Sequence, residues 1–575
     1  MTKPVYQTDV LVVGGGLAGC WAAIRASELT PNVTLVDKAI VARSGITLYC
    51  HDMLGPMPEE EAEGWLKDAV EHAEYMSDQR YAEDLLREQT ARIRQLEDFG
   101  VPFERDEKGA LVLGLGRGHV TSRVILYDGR KVMEAMRKEV LKRKINLVER
   151  TMVVDLLTSN GGQPSKGSVV GALGVNTRSG EFTIFRAGAV VITSSIMTAK
   201  LHLGYNDNLT GDGQAMAWRA GAELSGLELL FNPNYTCPHK GGVVGSAGLI
   251  QFQTLDARLV NSRGERFMDR YGGDRRERCS NFGLLAQAIA KELIEGRGPV
   301  YFDMRHFSKE KFERVRRIIP VTMASLEAAG INPEKELVPC RPVIAYFGAS
   351  GSGGIRINHH GETNLPGLLA AGAAAECPGY SIPLSGGFTT FCNVSGYRAG
   401  QRAAKVSKEM GMGDLDNAQV ERLKEGITAP LKRGQGISPS EIYRRINSKI
   451  VIIKFGLFKT EESIRAMLDE IRDIAQADLP RIMAVDNHEM IKAEEARNYI
   501  ELLEPIYLAS LARKECRLTH LRADYPYRDD AEWLKWIVVK KEDGEIKLAY
   551  VPVPLEQGKI KPRERTRVPS PIFAD

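Results

Sequence analysis

The run from Asp9 to Lys38, DVLVVGGGLAGCWAAIRASELTPNVTLVDK, decides the fold. Val10 to Val13 form a short unbroken apolar stretch, the pattern of a strand buried on both faces of a parallel sheet. Gly14, Gly16 and Gly19 then fill the three places of G-x-G-x-x-G. The first makes a tight turn, the second lets the backbone approach a diphosphate, and the third brings helix close to strand. A helix that starts there aims its free N–H groups and positive dipole end at an anion. Val33 to Val36 read as a second strand ending at Asp37, whose carboxylate can accept both hydroxyl hydrogen bonds of an adenosine ribose. Strand, glycine turn, helix and acid in this order mark a dinucleotide site. The motif alone does not separate FAD from NAD. Its position near the N-terminus, followed by Lys38 and by Arg43-Ser44-Gly45, favours FAD.

A chain of 575 residues exceeds what one core can bury and should divide into roughly three or four domains. Its 43% hydrophobic and 26% charged residues are those of a soluble globular protein, and a net charge of +3 gives no reason to expect nucleic acid. No apolar run reaches the roughly 18 residues of a membrane span, and no signal-peptide pattern opens the chain, so a cytoplasmic location is the default expectation. The eight cysteines contain no CxxC and the ten histidines no HxxxH pair, which predicts no metal site in this chain. Electrons that leave a flavin through metal clusters would reach them on another subunit. His359 and His360, side by side in a turn, read as solvated.

Residues 58–100 read as helical, followed by the glycine-rich loop GLGRGH at 114–119, which offers His119 and Arg123 for flavin or substrate contact. Arg130 to Lys144 is a basic amphipathic helix; Leu147–Leu157 and Val169–Val175 read as strands of a small sheet, with Val153 a candidate flavin contact. Ala189–Thr193 reads as a third buried strand. Thr210-Gly211-Asp212-Gly213 then opens a helix over Gln214–Ala222, backbone N–H groups plus an acid that suit the ribityl and diphosphate part of FAD. PGLLAAG at 366–372 reads as the final strand, closing the nucleotide fold around an insertion. The candidate cofactor residues are thus Gly14, Gly16, Gly19, Asp37, Lys38, Ser44, Gly45, Val153, Thr193, Asp212 and Gly372.

Beyond Arg402 the pattern is helical to about Asp478 and again over His488–Arg513, with breaks at Pro430 and Pro439. Glu515–Asp530 reads as a charged stretch that forms a surface ion-pair network. The tail around Glu556–Arg567 is basic and kept extended by prolines, suited to lying on a partner subunit. The fold class is α/β: a Rossmann-like FAD-binding domain in two parts (1–226 and 356–408), an inserted α+β capping domain (227–355), a helical bundle (409–540) and a tail (541–575).

Several motifs together resemble the succinate dehydrogenase and fumarate reductase flavoprotein family, which also holds L-aspartate oxidase and the alpha subunit of adenylylsulfate reductase. They are VVGGGLAG at 12–19, TGDG at 210–213, GERFMDRYGG at 264–273, EGRGPVYFDM at 295–304, LPGLLAAG at 365–372 and ECRLTHLRADYPYRDDAEW at 515–533. The resemblance implies an FAD domain, a mobile cap, a C-terminal helical bundle and an iron–sulfur (ferredoxin-like) partner subunit. Members with covalent FAD carry a His just after a small Ser/Gly patch. Here Arg43-Ser44-Gly45-Ile46-Thr47 is similar to the adenylylsulfate reductase loop, so the resemblance implies non-covalent FAD, with His51 the weaker alternative.

The chain departs from the family's dicarboxylate enzymes where they hold substrate. Phe231-Asn232-Pro233-Asn234 stands in place of HPTG, Asn281–Gln287 lacks the arginine of RDVVSR, Ala349–Ile355 keeps its glycines but lacks a His, and Gly387–Phe391 lacks the arginine of NRLGxNSL. Those residues clamp two carboxylates and deliver a proton, work that needs a charged fork and a positioned acid. His239, Arg270 and His119 remain as candidate catalytic residues, and Arg275, Arg276 and Arg278 would suit an anionic substrate if they face a pocket. Cys237 beside His239 reads as a packing cysteine. The reading is an FAD-dependent oxidoreductase, a flavoprotein subunit exchanging two electrons between a small anionic substrate and an iron–sulfur subunit, similar to adenylylsulfate reductase. A reductase or dehydrogenase of a carbon–carbon double bond and a non-catalytic flavin electron conduit are the alternatives.

Overall fold

The computed structural model describes residues 5–198, 200, 207–244, 249, 251–278, 283–347, 353–380, 383–451, 453–542, 544–562 and 566–574. The N-terminal strand β1 (Val5–Val13) buries Val10–Val13 almost completely and pairs in parallel with β2 (Val33–Val36) on one side. Beyond β2 lies β3 (Asn146–Val148), also parallel. On the other side comes β6 (Phe182–Ile192), which continues into an antiparallel ladder with β5 (Val169–Asn176) and β4 (Thr151–Thr158). The short strand β7 (Leu368–Ala370) pairs in parallel with the last residues of β6 and completes a seven-stranded sheet.

Sequence alone places β4 and β5 in a separate small sheet. They join the main sheet instead, because β6 begins seven residues before the expected Ala189, at Phe182, and its first half is free to pair with β5.

Helix α1 (Leu17–Ser27) follows β1, and α3 (Gly387–Met410) packs along it. Contact between the two is so close that a Cβ on Gly396 or Gly400 would sit 2.4 or 2.2 Å from the carbonyl oxygens of Ala18 or Ala22. The glycines of α3 thus serve helix-to-helix approach.

Between α2 (Asp212–Ala220) and β7 the chain builds the inserted domain. Its antiparallel sheet runs in the order Gly242–Val244, Phe231–His239, Val338–Phe347, Val300–Asp303, Arg258–Val260, with helices Leu284–Ile294, Lys309–Ile318 and Pro320–Ala328 beside it. This is the expected α+β cap.

After α3 come helices Asn417–Thr428, Pro439–Ile450, Glu461–Asp473 and α4 (Asn487–Ala512). Pro439 sits at the first position of its helix behind a Ser438/Glu441 capping box, where a missing N–H is harmless. The chain then returns as a hairpin, Lys535–Glu542 with Glu545–Pro552, whose first strand pairs with Leu224–Ser225 at the base of the cap. The 540/541 division drawn from the sequence falls inside this hairpin.

Two readings of the C-terminal part change. The charged stretch is buried: Arg513, Glu515, Arg517 and Asp530 are 0–1% exposed and joined by ion pairs of 2.6–2.8 Å, with Glu228 bound to Arg513 at 2.9 Å. Each charge lies opposite its counter-charge, which is what permits burial. The tail, of which residues 563–565 lie outside the described ones, is anchored on both sides of them to its own chain, with Lys559, Lys561 and Arg567 exposed. Gln79 exchanges hydrogen bonds with the backbone of Ile560, Arg567–Pro569 pairs with Tyr527–Asp529, and Ile572 is fully buried. His359 likewise is not simply solvated, since its Nε2 lies 2.9 Å from Asp78 and its ring 4.8 Å from that of Tyr81.

Candidate functional site

The glycine loop after β1 opens onto an elongated cavity at the C-terminal edge of the parallel strands, where ligands of open α/β sheets sit. Gly14 holds φ at +108°, a value that favours glycine, and a Cβ there would strike Thr193 and Ser194. At Gly16 a Cβ would meet nothing within 4 Å, so the backbone is bared to the cavity. Gly19 lies behind this surface: its Cβ would fall 1.8 Å from the Gly14 carbonyl oxygen, and only hydrogen lets α1 close on β1. Thr193 fastens the loop from the neighbouring strand, donating its hydroxyl toward the carbonyls of Val13 (3.0 Å) and Gly14 (2.7 Å).

Asp37 is held from several sides. Its Oδ2 accepts the Gly15 N–H at 2.8 Å, and its Oδ1 accepts the Ala39 N–H at 2.7 Å and the Ser44 hydroxyl at 3.1 Å. Lys38 turns away along the wall. Its Nζ donates to Thr210 Oγ1 (2.7 Å), Asp212 (2.8 Å) and Glu495 (2.8 Å), and burial, which alone would lower its pKa, is outweighed by these acids so that the pKa is raised. Glu495 also binds Lys200. One buried lysine therefore ties the end of β2, the start of α2 and helix α4. Asp212 in turn accepts from Asn498 at 3.0 Å.

Of the candidate cofactor residues, Gly14, Gly16, Asp37, Lys38, Ser44, Gly45, Val153, Thr193 and Asp212 all line the cavity. Gly19 and Gly372 stand behind it as spacers; a Cβ on Gly372, where φ is +60°, would lie 2.6 Å from Ala18 Cβ. Thr47, Met152, Met216, Ala373 and Cys392 line it too and are not among the residues the sequence points to. Thr47 adjoins the Arg43–Gly45 loop and could be found by extension; the others carry no local signal.

A dinucleotide fits this donor set. With a dinucleotide bound, the loop N–H groups would hold its diphosphate and Asp37 its ribose, and the Ser194 and Ser195 hydroxyls on the wall are buried without partners among the described residues. The FAD binding domain family matches residues 9–388, and the fumarate reductase flavoprotein C-terminal family matches 448–567. The chain belongs to the succinate dehydrogenase and fumarate reductase flavoprotein family. It is an FAD-dependent oxidoreductase. This flavoprotein is 28% identical to one subunit of the fumarate reductase (CoM/CoB) of Methanothermobacter marburgensis, over 94% of this chain and 98% of that one. Its fold is that of an E. coli quinol fumarate reductase FrdA variant, with a TM-score of 0.86, 23% identity, and 98% and 99% of the two chains covered. Adenylylsulfate reductase from Archaeoglobus fulgidus superposes with a TM-score of 0.78 at 21% identity, covering 96% of each chain.

The three candidate catalytic residues lie apart in this flavoprotein. His119 is buried in the glycine-rich loop, with Nε2 3.0 Å from the Ser385 carbonyl oxygen and Nδ1 2.8 Å from Ser122 Oγ. Asp68 gathers the same loop, accepting the N–H groups of Val120, Thr121 and Ser122 at 2.7–3.0 Å. Burial lowers the His119 pKa and favours the neutral ring, whose Nε2–H donates to Ser385; the Ser122 hydroxyl lies 2.8 Å from Nδ1 and 2.7 Å from Asp68 Oδ2, so its single proton serves one of the two. The loop also meets the cap, since Gly118 N–H donates to the Arg278 carbonyl at 3.4 Å. Arg123 turns back onto its own loop and donates to the Ser122 carbonyl at 2.9 Å.

Arg270 joins a cluster in the cap around Glu292, which is 0% exposed at its side chain and also receives Arg297, Tyr271 and Asn261. Burial opposes ionisation of Glu292, yet these donors pull its pKa down to about 2. His239 stands half-buried at a hairpin tip, its Nδ1 accepting the Gly241 N–H at 3.1 Å. Arg276 and Arg278 face Asp269 (2.6 Å) and Asp256 (3.5 Å). Burial raises the Cys237 thiol to about 12 and keeps it protonated.

The side chains of Asn232–Asn234 and Arg275, and residues 279–282 and 348–352, lie outside the described residues. Phe231, just before them, is fully buried, and Lys459 Nζ sits 4.0 Å over its ring with no hydrogen-bond partner. The family arginine absent from Gly387–Phe391 leaves the start of α3 uncharged. Among the described residues no group of three or more His, Cys, Asp or Glu is placed to hold a metal, and no helix is long and apolar enough to cross a membrane.

Proposed function

We propose that this chain is the flavoprotein subunit of a complex that passes two electrons between a small anionic substrate and an iron–sulfur partner subunit, in the manner of adenylylsulfate reductase. The observation that carries the reading is where the glycine-rich loop sits. His119 and the buried Arg117 lie where Ser385, before α3, meets the cap at Arg278. The buried Arg117 stands at this junction, where a guanidinium would orient an anion, whereas Arg278 meets the loop through its carbonyl and turns its guanidinium to Asp256. His119 is the proposed polar contact at this junction, acting through the Nε2–H that Ser385 now accepts. His239 is proposed to contact substrate only if the cap closes. Arg270 is proposed to hold the cap's shape through Glu292.

FAD, when bound, supplies a two-electron exchange that it can divide into single-electron steps. The residues of this chain bind it through the Gly14–Gly19 loop, Asp37 and the start of α2, and exclude water with Met152, Met216 and Cys392. The attachment is proposed to be non-covalent, since among the described residues no histidine lines the cavity and His51 lies outside it. The partner subunit is the proposed outlet for electrons, as the resemblance implies.

The test is turnover of the purified complex with reduced viologen as donor, offering adenylylsulfate and fumarate separately. Oxidation of the viologen by adenylylsulfate and not by fumarate is the expected result. A second reading, reduction of a carbon–carbon double bond, is favoured by the near full-length match to a fumarate reductase chain. Rapid fumarate turnover would establish it and displace the first.

A further inference from the structure

Away from the flavin slot, α3 forms one side of a second cavity. Cys392 on this helix faces the cofactor, and Tyr397, five residues on, faces a separate space of about 520 Å³. The opposite wall is Arg92, from the helix Gln79–Asp98. Arg92 is 7% exposed; its guanidinium carbon lies 3.5 Å from the Tyr397 ring centre, and its Nε and Nη1 have no hydrogen-bond partner. Those two nitrogens are sealed from solvent, which leaves Nη2 as the guanidinium nitrogen that an anion in this space can reach. The acids around this space do not answer it. Glu88 is taken by Arg398 at 2.6 Å and Glu362 by Arg402 at 2.7 Å, while Asp84 and Glu409 pair with those same arginines. Lys405 is exposed at the rim and has no ion pair among the described residues, and Gln401 and His360 add further polar groups.

The geometry points to a second ligand site, for a small metabolite whose carboxylate or phosphate oxygens meet Arg92 and Lys405 over the face of Tyr397. A volume of 520 Å³ falls within the roughly 300–1,000 Å³ of small-molecule sites. With Nε and Nη1 sealed, the Arg92 guanidinium offers one charged donor through Nη2, and Tyr397 holds it in place by stacking. Nothing in this cavity belongs to the flavin wall, so occupancy leaves the cofactor in place.

Calorimetric titration of the flavin-loaded protein, dialysed into chloride buffer, tests the assignment with citrate and with inorganic phosphate as separate probes. Saturable binding of one of them tighter than about 1 mM is expected, the better probe identifying carboxylate or phosphate as the preferred group. Arg92→Gln should weaken it about tenfold or more and Lys405→Gln several-fold, the visible flavin spectrum staying unchanged. Should Arg92→Gln not fold, Lys405→Gln and Gln401→Ala at the rim carry the comparison. No saturable heat from either anion overturns the site, as does affinity undiminished in the rim variants.

Discussion

Lys459 makes the sharpest energetic prediction. Its ammonium is fully buried above Phe231, and burial first, then the neighbouring Arg522, drive its pKa from 10.5 down to about 7, with Cys516 and Glu228 opposing weakly. The unfolded chain keeps its proton until about pH 10.5. Between about pH 7 and 10.5 the unfolded state therefore binds more protons than the folded one, and stability rises with pH across that window. Below pH 7 both states are protonated and the whole penalty is present. The drop from 10.5 to about 7, at about 1.36 kcal/mol per unit, amounts to roughly 5 kcal/mol. Lys459→Met keeps the length of the side chain and removes the charge, and such replacements of buried ions stabilise by about 1–4 kcal/mol. Thermal midpoints of wild type and variant, measured from pH 6 to 10.5, should differ most in favour of Lys459→Met at pH 6–7 and converge toward pH 10.5. A variant no more stable than wild type at pH 7, or a gap that ignores pH, refutes the reasoning.

Gly19→Ala places a methyl 1.8 Å from the Gly14 carbonyl, against backbone that cannot swing aside. Protein purified from this variant should be colourless, and normal yellow absorbance would sink the packing role given to Gly19. Lys38→Met leaves Glu495 to Lys200 and Asp212 to Thr210 and Asn498. A loss of about 1–3 kcal/mol in urea unfolding, with faster flavin release, is expected. Glu376 is a buried carboxyl whose pKa burial raises from 4.5 to about 7 against the Gly379 N–H, Arg356 and Ser225. The folded state holds its proton longer than the unfolded one, so its stabilising share is lost as pH rises from about 4.5 to 7, roughly 3 kcal/mol in all. Glu376→Gln should therefore gain on wild type at pH 8 and not at pH 4, as read by denaturant midpoints.

What can be read without coordinates is what neighbours in sequence decide. Val10–Val13, the three glycines and Asp37 lie within one βαβ turn, and each declares its role by spacing. The start of α2 and the strand at Leu368–Ala370 are also legible, because a glycine turn or an apolar run marks each. Lys38 shows the limit. Its partners stand at 210, 212 and 495, and no periodicity links them. Met152, Met216 and Cys392 reach the cofactor wall only through sheet order and helix packing. The stretch around Arg517 looks like surface because charge density is visible in a sequence, whereas the pairing that lets it sink into the core is not. The hairpin at Lys535–Pro552 escapes notice for a related reason: its second strand, rich in lysine and glutamate, covers little and reads as tail.

The flavin slot draws its walls from residues 13–47, 151–153, 193–195 and 208–216 and from Ala373 and Cys392, and the Lys38 latch reaches on to Glu495. A nascent fragment that has emerged only as far as the cap has the glycine loop but neither the far wall nor the bolt behind it. Coenzyme capture must then follow synthesis of most of the chain, and bound colour reports that distant segments have found one another. A cell short of riboflavin would accumulate this protein with its slot lined but unbraced, an open form for proteases to find first.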